Sequence, residues 1–239
     1  MIKRILVPLD GSEFARNATH YACELAADCD AEVVGITVLD LLGMTRQIAP
    51  IHAVALKAYH ERLLEAKVDA VERTKYALSH FRDICSKTKV SYSEHELQGI
   101  PASCISHWAS YCDLVVMGLR TFFSNQEQEH SGDSLVTSLH QSVTPILAVP
   151  KKRSNPLNTV LVAYDGSHHA TRALHAVANL NLVKPFEKAY VVTSLTDEQH
   201  SCFLLKQAAA YLRSHQLQDV TMIDTDKDIE AIIHQDYLE

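Results

Sequence analysis

The sequence predicts an α/β protein: an open parallel β-sheet with helices on both faces, followed by a second, truncated copy of the same arrangement. Two observations support this prediction. Short apolar runs rich in β-branched residues alternate with stretches of helical spacing, the pattern of parallel strands joined by right-handed crossovers. Residues 3–15 also reappear in similar form at 158–170. With 239 residues, 47% hydrophobic and 21% charged, the chain can bury a sizeable core and is not generally disordered.

The repeat defines the expected domains. Both copies contain Leu-Val, two variable residues and then Asp-Gly-Ser, and a match at a fixed offset indicates duplicated structural units. The basic, proline-containing stretch between the copies indicates a linker. We therefore expect a first domain at 1–150, a linker at 151–157 and an incomplete second domain at 158–239.

Strand and helix signals alternate through the first domain. The apolar run at 5–9 ends at Asp10-Gly11-Ser12, a turn and helix-cap signal, and Pro101 stands where the first turn of a helix tolerates proline. The strands are expected at 5–9, 32–39, 90–96, 113–117 and 145–149. The helices are expected at 14–27, 52–87, 101–111 and 135–141. The apolar face of the long helix is expected to comprise Leu56, Leu63, Leu64, Val68, Val71, Leu78, Phe81 and Ile84.

The second domain repeats this order only in part. Its strands are expected at 159–164, 188–193 and 220–223. Its helices are expected at 169–181, 198–215 and 227–234. Counterparts of the fourth strand, the loop after it and the fifth strand are missing, so the first strand of this domain, normally central, would lie at a sheet edge.

Charge and cysteine usage exclude several function classes. The formal net charge of −7 with His neutral argues against nucleic acid or an anionic membrane as the main partner. No apolar run approaches the length of a bilayer span or a signal peptide. The six cysteines form no C-x-x-C pair, so we expect no metal site and interpret them as buried, reduced thiols of a cytosolic protein. Neither a P-loop nor a G-x-S-x-G motif occurs, and no catalytic residue is assigned.

Four segments together resemble the universal stress protein family in its tandem form. They are Ile5–Ser12, Asp113–Gly118, Thr144–Pro150 and Val160–Ser167. The resemblance implies a Rossmann-like sheet of strand order 3-2-1-4-5, a cytoplasmic role in stress survival and dimers formed through the last strand. Many members of this family bind ATP, others do not, and most have no established catalytic reaction.

A nucleotide would bind at the switch point beyond strands one and four, within reach of Asp10, Val38 and the loop after Gly118. ATP-binding members of the family that this chain resembles carry Gly, two residues, Gly, nine residues and then Gly with Ser or Thr. Here Gly118 is kept, but Thr121 replaces the second glycine. Gly132 aligns with the third after one inserted residue, and Asp133 precedes Ser134.

Two interpretations of this loop stay open. In one, Ser131–Ser134 caps a helix in a domain that binds no nucleotide. In the other, a shifted loop binds ATP or AMP through a set of four residues: Gly118, Arg120, Gly132 and Ser134. The charges favour an empty site, because the loop contains more carboxylates than cations and carboxylates repel a polyphosphate.

The sequence therefore predicts a cytoplasmic, non-catalytic regulator of the stress response that binds an adenine nucleotide weakly or not at all. One alternative is a slow ATPase on the same fold. Another is a nucleotide-free dimerisation or scaffold module. We expect a homodimer formed through edge strands and an unidentified protein partner, with no nucleic acid and no membrane.

Overall fold

The computed structural model describes residues 2–47, 56–120, 142–152, 159–179 and 186–226. These residues form two compact units. The first unit lies within 2–152 and the second within 159–226. The predicted helices at 135–141 and 227–234 and most of the predicted linker lie outside the described residues, so the predicted domain boundaries stay predictions.

The first unit contains a five-stranded parallel sheet flanked by helices. Its strands are β1 (Arg4–Pro8), β2 (Glu32–Leu39), β3 (Ser91–Gln98), β4 (Leu114–Gly118) and β5 (Ile146–Val149). Its helices are α1 (Glu13–Cys29), α2 (Leu41–Gln47), α3 (Leu56–Thr88) and α4 (Pro101–Ala109). The strand order is β3-β2-β1-β4-β5, and all pairs are parallel. The predicted fold class and strand order are confirmed.

Helices cover both faces of this sheet. On one face, α4 packs over a core of Leu6, Val34, Ile36, Ile105, Ala109, Val115 and Met117. On the other face, α1 and α3 contact β4 and β2 respectively. The ring of Phe81 comes within 2.8 Å of the point where a Cβ on Gly35 would stand. A side chain at that position would push α3 away from the sheet.

The prediction for the apolar face of α3 is wrong in its first half. The side chains of Leu64 and Val68 are 62% and 57% exposed, and Val71 is exposed as well. The second half follows the prediction, because Leu78, Phe81 and Ile84 are buried. In the first half of α3 the buried positions are instead alanines, Ala66 and Ala70, so the larger apolar side chains there lie beside the buried face and not on it.

Two further features of the chain differ from expectation. The short helix α2 follows β2 directly and was not predicted, because seven residues give too little periodicity to detect. Asp40 precedes it and accepts a hydrogen bond from the backbone N–H of Gly43 at 2.8 Å. The six cysteines are also not all buried: Cys23 and Cys85 are buried, whereas Cys202 of the second unit is exposed.

The second unit contains a three-stranded parallel sheet. Its strands are β6 (Thr159–Ala163), β7 (Lys188–Thr193) and β8 (Asp219–Asp224), and its helices are α5 (His168–Asn179) and α6 (Glu198–Ser214). The order β6-β7-β8 leaves β6 at one edge among the described residues. Leu174, Val191, Leu205 and Leu212 belong to its core. In the part of the chain that is described, no helix is long and apolar enough to span a bilayer.

Candidate functional site

The strand order of the first unit creates a switch point beyond the carboxyl ends of β1 and β4. From β1 the chain proceeds to β2 and β3 on one side of the sheet and later to β4 and β5 on the other. Connections that leave in opposite directions open a crevice at this edge, where open α/β sheets bind their ligands. This crevice is the candidate site.

The structure brings two of the predicted site residues together in a cleft on the β1–β2 side of this switch point. Asp10, just after β1, and Val38, near the end of β2, line the same cleft. The other lining residues come from the end of β2, from α2, from α3 and from the residue that follows β1, and are Leu9, Leu39, Met44, Ala70, Arg73 and Thr74. The water-accessible space between these side chains is about 30 Å³, enough to hold water molecules.

The cleft residues from α2 and α3 were not predicted. Met44 lies on the short helix that the sequence pattern did not indicate. Ala70, Arg73 and Thr74 have the i, i+3, i+4 spacing of a single helix face, which was the only available signal. That signal does not say which end of the sheet the face would meet, because this depends on tertiary packing.

Asp10 is tied to its own turn. Its Oδ1 accepts a hydrogen bond from the backbone N–H of Ser12 at 2.9 Å, and Gly11 has φ of 80°, a left-handed conformation that favours glycine. The Ser12 hydroxyl accepts from the backbone N–H of Ala15 at 3.1 Å and so caps α1. The cap uses one of the N–H groups at this helix start that a phosphate would otherwise bind.

Gly118 has a packing role that the sequence prediction missed. It is the last residue of β4, and a Cβ added to it would lie 2.5 Å from the Cβ of Phe14 and 3.0 Å from the Phe14 carbonyl carbon. The first turn of α1 therefore requires glycine at this position, whether or not a ligand binds.

The other predicted site residues do not line this cleft in the part of the chain that the structure describes. Arg120 is exposed, and neither it nor Gly118 belongs to the cleft lining. Gly132 and Ser134 lie outside the described residues. The predicted contribution of the loop after β4 to a nucleotide site stays a prediction.

The second unit repeats the Asp-Gly-Ser turn almost atom for atom. Asp165 Oδ1 accepts from the backbone N–H of Ser167 at 2.8 Å, and the Ser167 hydroxyl accepts from that of Ala170 at 3.2 Å. Gly166 has φ of 78°. The hydrogen bonds from Ser167 hold the pKa of the Asp165 carboxyl below its ordinary value, because they stabilise the charged form. The turn alone therefore does not define a ligand site.

The described residues offer no alternative metal centre, since no group of three His, Cys, Asp or Glu side chains among them is placed to hold an ion. The β3-β2-β1-β4-β5 sheet and its crevice define a Rossmann-like α/β protein of the doubly wound class. The sequence model of the universal stress protein family matches residues 1–149. The chain belongs to the universal stress protein family.

Individual relatives agree with this assignment. A universal stress protein of Synechocystis is 25% identical over 215 residues, covering 82% of this chain and 72% of its own length. One from Methanocaldococcus jannaschii is 26% identical over 155 residues, covering 64% of this chain and 85% of its own. The crystal structure of a universal stress protein from Archaeoglobus fulgidus has a TM-score of 0.65, covering 97% of this chain and 80% of that chain, at 16% identity. At that identity the likeness shows the fold.

Proposed function

We propose that this protein is a non-catalytic, cytoplasmic regulator of the stress response whose first unit binds an adenine nucleotide weakly or not at all. The proposal rests on the small size of the cleft and on the hydrogen bonding of Asp10 within it. Asp10 and Val38 line one cleft beside the switch point, and the water-accessible space between its described lining residues is small, about 30 Å³. The Asp10 carboxylate also accepts a hydrogen bond from its own turn.

The charges support weak binding. Asp10 places a carboxylate in the cleft, and the sequence of the following loop adds Glu127, Glu129 and Asp133 against Arg120. Arg73 lines the cleft as well, but two guanidiniums do not offset the repulsion between four carboxylates and a triphosphate. AMP, which has less charge, is therefore expected to bind no worse than ATP.

Calorimetric titration of the full chain with Mg-ATP and with AMP tests the proposal. We expect dissociation constants of about 1 mM or weaker, roughly −4 kcal/mol, and no adenine nucleotide released when the purified protein is denatured. If binding is measurable, Asp10→Ala is expected to change the dissociation constant, because this carboxylate lines the cleft. Asp165→Ala is the matched control, because it removes the same turn hydrogen bond from the second unit.

Three outcomes would contradict the proposal. Micromolar binding of ATP would show that the crevice opens into a complete site. Equal loss of binding in both aspartate variants would place the ligand elsewhere. Hydrolysis of ATP that is lost in Asp10→Ala and kept in Asp165→Ala would establish the slow ATPase instead.

We further propose that the chain forms a homodimer through an edge strand of the first unit. The edge strand β5 has Ile146, Leu147 and Ala148 only half-buried, and an apolar edge with unpaired backbone groups favours pairing. Sedimentation at micromolar concentration is expected to show a dimer that Leu147→Lys dissociates, whereas Tyr92→Lys on the opposite edge strand, β3, does not. A monomeric wild-type chain would contradict this proposal and would leave the nucleotide proposal unaffected.

A further inference from the structure

Two cysteine side chains meet inside the first unit, away from the crevice. The sulfur atoms of Cys23 on α1 and Cys85 on α3 are 3.6 Å apart, and both residues are 0% exposed. The buried face of α1 on both sides of Cys23 consists of small residues, including Ala22 and Ala26. Their size allows α3 to approach closely enough for the two thiols to touch.

We propose that Cys23 and Cys85 are a modification site: a dithiol that a peroxide converts into an intramolecular disulfide joining α1 to α3. The sulfurs need to approach by about 1.5 Å to reach the length of an S–S bond, about 2.05 Å. Rotations of the two side chains can supply a movement of this size. The two residues are 62 positions apart in sequence, so the bond would close a long loop of the chain.

The two thiols have different chemical roles. The two thiols share a hydrogen bond in which either sulfur can donate; when Cys85 donates, the bond lowers the pKa of Cys23 and raises that of Cys85. Burial adds to the increase at Cys85. Because a thiolate is the nucleophile in thiol oxidation, Cys23 is the residue that reacts first and Cys85 is the resolving thiol.

The reaction balances with one peroxide. The Cys23 thiolate attacks one oxygen of hydrogen peroxide: an S–O bond forms, the O–O bond breaks, and the hydroxide that leaves takes up the proton that Cys23 lost on ionisation and becomes water, which gives a sulfenic acid. The Cys85 sulfur then attacks the Cys23 sulfur, so the S–S bond forms and the S–O bond breaks. The departing hydroxide takes the Cys85 proton and becomes water. The two sulfurs are oxidised by two electrons, and the peroxide is reduced to two waters.

Burial controls the rate of this reaction. A peroxide reaches the sulfurs only when α1 and α3 separate locally, so the pair is expected to react after the exposed Cys202. The disulfide would then connect the helix that Ser12 caps to the helix that carries Arg73. These residues are 11 and 12 positions from the respective cysteines, roughly 17 Å along each helix. Oxidation would therefore hold together the two helices that border the crevice.

The test is a peroxide time course on the reduced full chain. Samples are denatured and alkylated, digested without reductant and mapped by mass spectrometry. We expect Cys202 to be oxidised first, followed by a peptide pair joined through Cys23 and Cys85 that is two hydrogen atoms lighter than its reduced components. The same pair is expected in a variant with the other four cysteines replaced by serine, and not in Cys85→Ala.

The wild-type map alone decides the question, even where a cysteine variant fails to fold. The proposal is overturned if Cys202 proceeds to sulfinic or sulfonic acid while Cys23 and Cys85 both remain open to alkylation. It is also overturned if either residue is found joined to a different cysteine.

Discussion

The two units contain the same local structure in different surroundings. β1 and β6 both enter an Asp-Gly-Ser turn in which the aspartate accepts from the serine N–H, the glycine has φ near 80°, and the serine caps a helix. Yet Ile5, Leu6 and Val7 are 0% exposed, whereas Val160 and Leu161 in the second unit are only half-buried. Neighbouring residues in the sequence therefore determine the turn, whereas neighbouring strands determine how deeply the first strand of each unit is buried.

This difference bears directly on the candidate site. A switch point needs strands on both sides of the first strand, and the described residues supply them only to β1, which pairs with β2 and β4. β6 pairs with β7 alone among the described residues. The same Asp-Gly-Ser turn thus borders a crevice in the first unit and lies beside an edge strand in the second.

The largest expected effect contrasts the two strands directly. Leu6→Ala is expected to destabilise the first unit by about 4 kcal/mol, because it empties a fully enclosed position. Leu161→Ala, at the equivalent position, is expected to cost the second unit about 1 kcal/mol, because its side chain is already partly hydrated. Urea unfolding followed by the fluorescence of Trp108, the single tryptophan, measures the first unit. Hydrogen exchange of the β7 amides measures the second.

Equal losses in the two variants would contradict this comparison. They would mean that Leu161 is as well covered as Leu6, and hence that β6 has a neighbour which the described residues do not include. The partly buried Trp108 packs against the core of the first unit and stacks on His95 with ring centroids 4.2 Å apart. Its emission therefore reports on the first unit without a probe being added.

A smaller and nearly equal effect is expected at the two turns. Gly11→Ala and Gly166→Ala should each destabilise their unit by about 1–2 kcal/mol, because both force a Cβ into a left-handed conformation. Gly166→Ala is expected to lower the free energy of unfolding slightly more than Gly11→Ala. Its Cβ would stand 3.2 Å from the Leu204 side chain, whereas that of Gly11 would be 3.8 Å from the nearest atom, the Arg73 carbonyl oxygen.

Asparagine provides the control for the turn, because it tolerates the left-handed region better than alanine. Gly11→Asn and Gly166→Asn are expected to recover part of the stability lost in the alanine variants, as judged by the same fluorescence and exchange measurements. An alanine substitution without cost in either unit would show that the turn there rearranges.

The residues themselves predicted what is local and the family resemblance implied the strand order, whereas several contacts between elements were missed. The strands, the Asp-Gly-Ser turns and the serine caps follow from residues within a few positions of one another, and these predictions match the structure. The exposure of Leu64 and Val68, the packing role of Gly118 and the cleft contact of Arg73 depend on which elements meet in space. The duplicated motif predicted two units, and the missing counterparts of the fourth and fifth strands predicted that β6 lies at a sheet edge, which is where it lies among the described residues.

A third comparison uses two buried hydroxyls. The backbone N–H of the residue just after β1 donates to the Ile36 carbonyl, and that of the residue just after β6 donates to the Val192 carbonyl. Thr37 and Thr193 directly follow these two acceptors, so they occupy equivalent positions. Both are buried, and neither hydroxyl has a hydrogen-bond partner within the described part of the chain. Thr37→Val and Thr193→Val are each expected to stabilise their unit by about 1 kcal/mol, since an unsatisfied buried polar group is removed.

Thr19 is the matched control for these substitutions, because it is also buried but its hydroxyl donates to the Ala15 carbonyl at 2.9 Å. Thr19→Val should therefore be neutral or destabilising in the same urea and exchange experiments. A loss of stability in Thr37→Val or Thr193→Val would show that the hydroxyl has a partner beyond the described residues. A loss in only one of them would show that the two units differ at this position as well.

The smallest expected effect is the pH dependence that Asp165 gives to the second unit. The hydrogen bonds from Ser167 hold the pKa of this carboxyl below its unfolded value, so the folded state favours the charged form. The resulting stability is present above about pH 4 and is lost as the pH falls through the lowered pKa. At this exposed position it is roughly 0.3 kcal/mol after solvent screening.

A carboxyl-carbon NMR titration measures this pKa directly, and Ser167→Ala tests its cause. Removing the hydroxyl should move the pKa of Asp165 towards the ordinary aspartate value, while the backbone N–H of residue 167 still donates and keeps part of the decrease. An unchanged pKa in the variant would mean that the backbone bond alone sets it. The stabilising charge would then be a property of the turn itself, present wherever the chain folds this way and independent of the strands that distinguish the two units.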